Sequence, residues 1–121
     1  MPEKILIVDD EKHFRESTKR LLRRKGYHAE AAGSGTEALE KIGKESFGLM
    51  LVDIRMPEMN GLEMLQRAKE MAPEIMVLII TGYGTDKLEK EAMQLEVDGF
   101  VNKPITIDEL TKIIDETLAR R

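Results

Sequence analysis

The apolar residues of this chain follow two patterns that alternate along its length. Short continuous apolar runs, such as Ile75–Ile80, are typical of strands buried on both faces. Between these runs, apolar residues recur at spacings of three and four, the pattern of amphipathic helices. The predicted strands are Lys4–Val8, Tyr27–Ala31, Gly48–Asp53, Ile75–Ile80 and Gly99–Val101. The predicted helices are Glu11–Lys25, Gly35–Gly43, Gly61–Met71, Thr85–Leu95 and Ile107–Arg121.

This alternation predicts a single α/β domain over residues 1–121. Continuously apolar strands favour a five-stranded, doubly wound parallel sheet with helices on both faces, and the strand orders that fit include 2-1-3-4-5. Gly26 suits the position just after a helix. Ser34, Asn60 and Thr106 are each followed three residues later by glutamate, which is the spacing of a helix-capping box.

Polar residues stand where four of the five predicted strands end. Asp9 and Asp10 follow the first strand, Asp53 ends the third, Thr81 follows the fourth and Lys103 follows the fifth. Singly, each has a plain explanation: an aspartate can cap the next helix, and a lysine can be a surface residue. In an open α/β sheet, however, ligands bind at the carboxyl ends of the strands. The joint placement on one edge therefore favours a functional site.

The chemistry of these groups is that of phosphoryl transfer. Three carboxylates in one crevice are costly unless a cation joins them or one takes a proton. Oxygen ligands suit a hard cation such as Mg²⁺. Lys103 adds a fixed positive charge and Thr81 a hydroxyl donor, and a carboxylate can act as a nucleophile that forms an acyl phosphate.

The composition excludes several other classes of protein. The chain has 121 residues, no cysteine and a net charge of −4. Disulfides and thiolate metal sites are therefore excluded, which fits a cytoplasmic location. The negative charge argues against nonspecific nucleic-acid binding. No apolar run approaches the roughly 20 residues of a membrane span, and the N-terminus lacks a signal-peptide pattern.

Four segments resemble the motifs of bacterial two-component response-regulator receiver domains. They are Leu6–Glu11, Asp53–Gly61, Thr81-Gly82 and Lys103-Pro104. The resemblance covers essentially the whole chain, with the motifs in the family's order and spacing. It implies a flavodoxin-like fold with strand order 2-1-3-4-5.

The resemblance also implies roles for the acidic residues. Asp53 matches the phosphoacceptor. Asp10 matches the direct ligand of Mg²⁺, with Mn²⁺ as an alternative, and Asp9 acts partly through water. Asp53 and the backbone carbonyl of Arg55 complete the protein ligands.

Three further residues match the family's catalytic and switching groups. Lys103 would contact the phosphoryl oxygens, and Thr81 would move to hydrogen-bond one of them. Phe100 matches the aromatic switch residue, which turns inward when the threonine moves. The Lys103-Pro104 bond is often cis in this family. Phosphorylation would then alter the face built from the fourth helix, the fifth strand and the fifth helix.

The implied function is a phosphorylation-controlled switch that assists its own phosphorylation and dephosphorylation and is not otherwise an enzyme. Its partners would be a histidine kinase or phosphotransfer protein, which supplies the phosphoryl group, and an output domain or partner protein. Dimerisation on phosphorylation is one possible outcome. No direct contact with nucleic acid or membrane is expected. Arg55, Gly82 and Tyr83 look most like receivers of ATPase-type transcriptional activators. Both a stand-alone receiver and a receiver within a longer regulator fit this sequence.

Two surface features extend this interpretation. His13 and Ser17 lie four residues apart on the first helix and are candidates for kinase choice. Arg55 and Tyr83, both large, are predicted to cover the path of the hydrolytic water and to slow dephosphorylation.

Three rival classes fit the residues less well. A phosphatase of the haloacid-dehalogenase type usually has a second acid two residues after its nucleophile, where this chain has Arg55. A degenerate receiver-like module would lack one of the key residues. A flavin-binding protein needs a phosphate loop after the first strand, where Asp9 and Asp10 would repel the cofactor.

Overall fold

The computed structural model describes residues 3–53, 61–82, 90–91 and 93–120. Within these residues, five strands form one sheet in the order β2-β1-β3-β4-β5, and every neighbouring pair is parallel. The predicted order 2-1-3-4-5 is thereby confirmed. The strands are β1 (Lys4–Val8), β2 (His28–Ala32), β3 (Leu49–Val52), β4 (Met76–Thr81) and β5 (Gly99–Asn102).

Helices connect the strands and cover both faces of the sheet. The helices with described bounds are α1 (Lys12–Arg24), α2 (Gly35–Lys44), α3 (Gly61–Met71) and α4 (Ile107–Ala119). The helix predicted over Thr85–Leu95 lies largely outside the described residues, although residues 90–91 and 93–94 are helical. Among the described helices, none combines the length and apolarity that crossing a membrane requires.

Two apolar layers hold the helices to the sheet. The layer under α2 and α3, here the α2/α3 layer, includes the strand residues Val8, Val52, Ile79 and the half-buried Phe100. The layer under α1 and α4, here the α1/α4 layer, includes Ile7, Leu51, Ile80 and the half-buried Val101. Because successive strand residues point to opposite faces, the central strands must be apolar at every position, as the sequence pattern indicates.

The start of β2 is set by the end of the preceding helix. Gly26 has a φ of 97°, a left-handed conformation that glycine adopts without a steric penalty. Its amide donates to Arg23 O and the amide of Tyr27 donates to Leu22 O, each at 3.1 Å, which is the Schellman arrangement. The strand predicted from Tyr27 therefore starts at His28.

A turn also makes β4 begin one residue later than predicted. The amide of Ile75 donates to Ala72 O at 3.1 Å, so the strand begins at Met76 and extends to Thr81. The predicted caps are present where the structure describes them. Ser34 Oγ accepts from the Glu37 amide and Thr106 Oγ1 from the Glu109 amide, each at 3.1 Å, whereas Asn60 lies outside the described residues.

Candidate phosphoacceptor site

Two strands deliver three carboxylates to one end of the sheet. The Asp9 amide donates to Ala32 O at 3.1 Å and the Asp53 amide to Val8 O at 2.9 Å, so hydrogen bonding between strands fixes both backbones just past β1 and β3. One carboxylate oxygen from each of Asp9, Asp10 and Asp53 lies within 4.8 Å of the others. We call these residues the acidic cluster. Asp9 is buried, Asp53 half-buried and Asp10 exposed.

Asp9 also helps to begin the next helix, which is the structural role that an aspartate at this position can have without any catalytic function. Its Oδ1 accepts a hydrogen bond from the Glu11 amide at 2.9 Å, and Glu11 is the residue that precedes α1 without a side-chain cap of its own. The other carboxylate oxygen, Oδ2, is turned toward Lys103. One side chain thus both shapes the turn and contributes to the cluster.

Lys103 brings a positive charge to the acidic cluster. Its amide donates to Thr81 O at 2.9 Å, which fixes the backbone just past β5. Its Nζ lies 2.7 Å from Asp9 Oδ2 and 3.5 Å from Asp53 Oδ2. Burial lowers the pKa of this ammonium, but the hydrogen bond and charge of Asp9, followed by those of Asp53, outweigh burial and raise the pKa above its usual value.

Thr81 and Phe100 lie on the opposite face of the sheet from Lys103. Thr81 is fully buried and pairs with Asn102, while Phe100 pairs with Ile79. Since residues two apart on a strand share a face, Thr81 lies on the side of Ile79 and Phe100, which belong to the α2/α3 layer. The two predicted switch residues therefore lie on the same face of neighbouring strands, two residues apart in register.

Two side chains of α1 contact this site and were not predicted from the sequence. The Phe14 ring lies 4.1 Å, centroid to Nζ, from Lys103. Arg15 Nη1 lies 3.3 Å from Asp9 O and 3.4 Å from Asp10 O. The only sequence signal for them was their position in the first turn of the helix that follows Asp10.

Some of the predicted site lies outside the described residues. Arg55 and Tyr83 belong to that part, so the carbonyl ligand and the predicted shielding are not described. The Lys103-Pro104 peptide bond is cis, as the family resemblance implied. Beside it, a cavity of about 450 Å³ opens between Phe14, Gly82, Lys103, Pro104 and Ile105.

The donor set of the acidic cluster fits a hard divalent cation. All three groups offer carboxylate oxygen, and Lys103 balances only one of their charges. Such oxygen ligands suit Mg²⁺ or Mn²⁺ rather than softer metals. The exposure of Asp10 leaves one side open to water, which Mg²⁺ usually retains as ligand.

The sequence model of the response regulator receiver domain matches residues 5–115. This chain belongs to that family. It is therefore a receiver domain of the two-component response regulators, which is phosphorylated on aspartate and acts as a signalling switch.

Individual relatives agree with this family. The chain is 39% identical over 115 residues to the transcriptional regulatory protein ZraR of Klebsiella oxytoca, covering 95% of this chain but only 26% of ZraR. It is 36% identical to sporulation initiation phosphotransferase F of Bacillus subtilis, covering 98% of this chain and 95% of that protein. The chain thus spans about a quarter of ZraR and nearly all of the Bacillus protein. The predicted likeness to receivers of transcriptional activators is confirmed.

A solved structure supports the fold independently. A CheY-like response regulator receiver domain protein from Methanospirillum hungatei superimposes with a TM-score of 0.95 at 34% identity. The match covers 99% of this chain and 96% of that one. The flavodoxin-like topology is therefore that of other receiver domains.

Proposed function

We propose that Asp53 is the phosphoacceptor of this receiver. The observation that carries the proposal is its position: its carboxylate lies in the acidic cluster and 3.5 Å from Lys103 Nζ. Asp53 is half-buried and therefore more accessible to an incoming phosphodonor than Asp9, which is buried. Asp9 is also the nearer carboxylate to Lys103 and accepts a hydrogen bond from the Glu11 amide. Asp10, which is exposed, is better suited to hold a hydrated metal ion.

The reaction needs little from the protein besides positioning and charge neutralisation. A carboxylate oxygen of Asp53 forms a bond to phosphorus while the bond from phosphorus to the donor's histidine nitrogen, or to the acetate oxygen of acetyl phosphate, breaks. Lys103 would pair with the phosphoryl oxygens, and the hydroxyl of Thr81 would donate to one of them. In this sense the domain assists its own phosphorylation and, by holding the same groups around water, its dephosphorylation.

A divalent metal would be held by Asp10 and Asp53, with Asp9 acting through water and the carbonyl of Arg55 as a further ligand. Mg²⁺ is the first choice because the site offers only oxygen, and Mn²⁺ is the alternative. When bound, the metal supplies positive charge to the oxygens of the transferred group. Asp9, by its bond to the Glu11 amide, would keep the acidic turn in shape.

The switch would pass through Thr81 to Phe100. Phosphorylation adds three acceptor oxygens and about −1.5 to −2 charges, which draws the Thr81 hydroxyl toward Asp53. Phe100, on the same face and half-buried, could then turn inward and change the surface of the fourth predicted helix, β5 and α4. Thr81→Ala should therefore accept phosphate but show smaller NMR shift changes around Phe100, and full wild-type changes would refute the coupling.

The phosphodonor would be a histidine kinase or a phosphotransfer protein that approaches over α1. His13 is exposed there, whereas Ser17 is half-buried and contributes less surface than the sequence predicted. Replacing both should alter transfer from the kinase but not from acetyl phosphate. Because such kinases draw on ATP, we also propose a cytoplasmic location.

The deciding experiment is incubation with acetyl phosphate and Mg²⁺, followed by intact mass. Wild-type protein should gain one phosphoryl group, and Asp53→Asn should gain none. Asp108→Asn is the matched control and should be labelled normally, because it removes an exposed carboxylate of α4 that pairs with Lys25. Label on Asp53→Asn at the wild-type rate would refute the assignment, and turnover without stable label would favour a phosphatase.

A further inference from the structure

The ring of Phe14 lies against the ammonium group of Lys103. The distance from Nζ to the ring centroid is 4.1 Å, well inside the roughly 6 Å over which a cation is attracted to an aromatic face. Phe14 is the third residue of α1 and packs in the α1/α4 layer. We propose that Phe14 is a positioning residue that holds the Lys103 ammonium beside Asp53 for phosphoryl transfer.

Lys103 needs such a hold because its side chain is long and flexible. A lysine side chain loses rotamer entropy when it is fixed in one conformation. Within the part of the chain that the structure describes, its ammonium contacts Asp9 at 2.7 Å, Asp53 at 3.5 Å and the Phe14 ring. With these contacts the side chain is only 19% exposed.

The ring differs from the two carboxylates because it carries no net charge. This step rests on the proposed function, in which a divalent cation shares the acidic cluster. The cation would compete with Lys103 for Asp9 and Asp53 and repel its ammonium. The cation would not compete for the ring. Of the described contacts of Lys103, the one with Phe14 would therefore persist when a positive charge beside Asp53 is needed.

Simple packing is the alternative role of Phe14. The neighbouring cavity is also lined by Pro104 and Ile105. If Phe14 only lined this cavity, any apolar side chain of similar size at position 14 would replace it. The two roles separate in a series at one position. Phe14→Leu keeps an apolar side chain without a ring, whereas Phe14→Tyr and Phe14→Trp keep an aromatic face.

The first test is an NMR measurement that needs no phosphorylation. In wild-type protein the ring current should shift the Lys103 Cε protons upfield, both without metal and with saturating Mg²⁺. The shift should disappear in Phe14→Leu and persist in Phe14→Tyr and Phe14→Trp. Phe47→Leu, which removes a ring buried in the α2/α3 layer, is the control and should leave it unchanged.

The second test is the initial rate of labelling by acetyl phosphate at saturating Mg²⁺. Phe14→Leu should lower this rate about two- to fivefold, the range expected from a partly exposed cation–π contact, and the aromatic variants should keep it. Equal rates in the leucine and aromatic variants, or a Lys103 shift that vanishes when Mg²⁺ is added to wild-type protein, would overturn the proposal. Unlabelled wild-type protein would instead refute the proposed function, and the NMR series would then decide the role of Phe14 by itself.

Discussion

Replacing Lys103 with methionine should tighten Mg²⁺ binding to the acidic cluster. Methionine keeps most of the length and apolar volume of the lysine stem but removes the charge. In the wild-type protein the ammonium neutralises Asp9 from 2.7 Å, so an incoming cation must compete with it and is also repelled by it. Without that ammonium, the carboxylates have the metal as their counter-ion.

The size of the effect follows from the ion pair. At 2.7 Å between Lys103 Nζ and Asp9 Oδ2, the attraction is about 1.5 kcal/mol in the dielectric of water and about 6 kcal/mol at an effective dielectric of 20. The side chain of Asp9 is 2% exposed and that of Lys103 19%, so the true value exceeds the lower figure. Since 1.4 kcal/mol is tenfold in affinity, the dissociation constant for Mg²⁺ should fall by roughly tenfold or more.

Titration calorimetry is the suitable assay, because the chain has no tryptophan to report binding. Lys4→Met is the matched control. It removes one positive charge from an exposed pair with Glu45 at 3.4 Å, outside the acidic cluster, and should change the affinity little. An unchanged or weaker affinity in Lys103→Met would refute the reasoning, and an equal gain in both variants would assign the effect to net charge.

Three further predictions concern the metal site, the sheet and pH. Asp10→Asn should weaken Mg²⁺ binding by at least the roughly tenfold that loss of an outer-shell partner costs, and unchanged affinity by calorimetry would show that the metal site is misplaced. Gly99→Ala should lower the free energy of unfolding by about 1–3 kcal/mol, because the added Cβ would lie 2.7 Å from Cδ2 of the buried Leu78; urea unfolding measures this, and the loss should shrink in a Leu78→Ala background. Burial, followed by the hydrogen bond and charge of Asp115, raises the pKa of Tyr27 from 10.0 to about 12. The contribution of protonated Tyr27 to the free energy of unfolding is therefore complete below the unfolded pKa and is lost as pH rises through the folded pKa. Relative to Tyr27→Phe, the wild-type chain should lose stability between pH 10 and 12, and parallel stability curves over that range would contradict this linkage.

Most of the fold could be predicted from the sequence because burial on two faces leaves a pattern that a single sequence shows. A strand such as Leu49–Val52, which is buried throughout, must be apolar at every position. The strand ends were less predictable. Tyr27 and Ile75 are apolar and suit a strand, but their amides are used by the turns before β2 and β4, and hydrogen bonding of that kind leaves no hydrophobic signal.

The acidic cluster was predictable for a similar reason. The carboxyl ends of parallel strands meet at one edge, so Asp9 and Asp53 must be neighbours once β1 and β3 are adjacent. Phe14 and Arg15 were not predictable, because their contacts depend on how α1 packs across the ends of β1 and β5. An apolar residue in a helical pattern, such as Phe14, indicates that its face of the helix is buried. It does not indicate that the side chain contacts a charged group such as the Lys103 ammonium.

The arrangement of the site also bears on how the proposed switch would pass a signal. Asp9, Asp53 and Lys103 each come directly after the last residue of a strand, and Lys103 contacts Phe14 of the α1/α4 layer.

Thr81 and Phe100 lie on the side of the α2/α3 layer, so the proposed phosphorylation at Asp53 would reach Phe100 through Thr81. A backbone hydrogen bond from the Lys103 amide to Thr81 O, at 2.9 Å, links the ends of β5 and β4 beside the site. It joins the residue that would pair with the phosphoryl oxygens to the residue that would move toward them. A switch built this way would act at the edge formed by β4 and β5, because β5 is the edge strand of the sheet that the described residues form. A side chain on it can change position without displacing another strand.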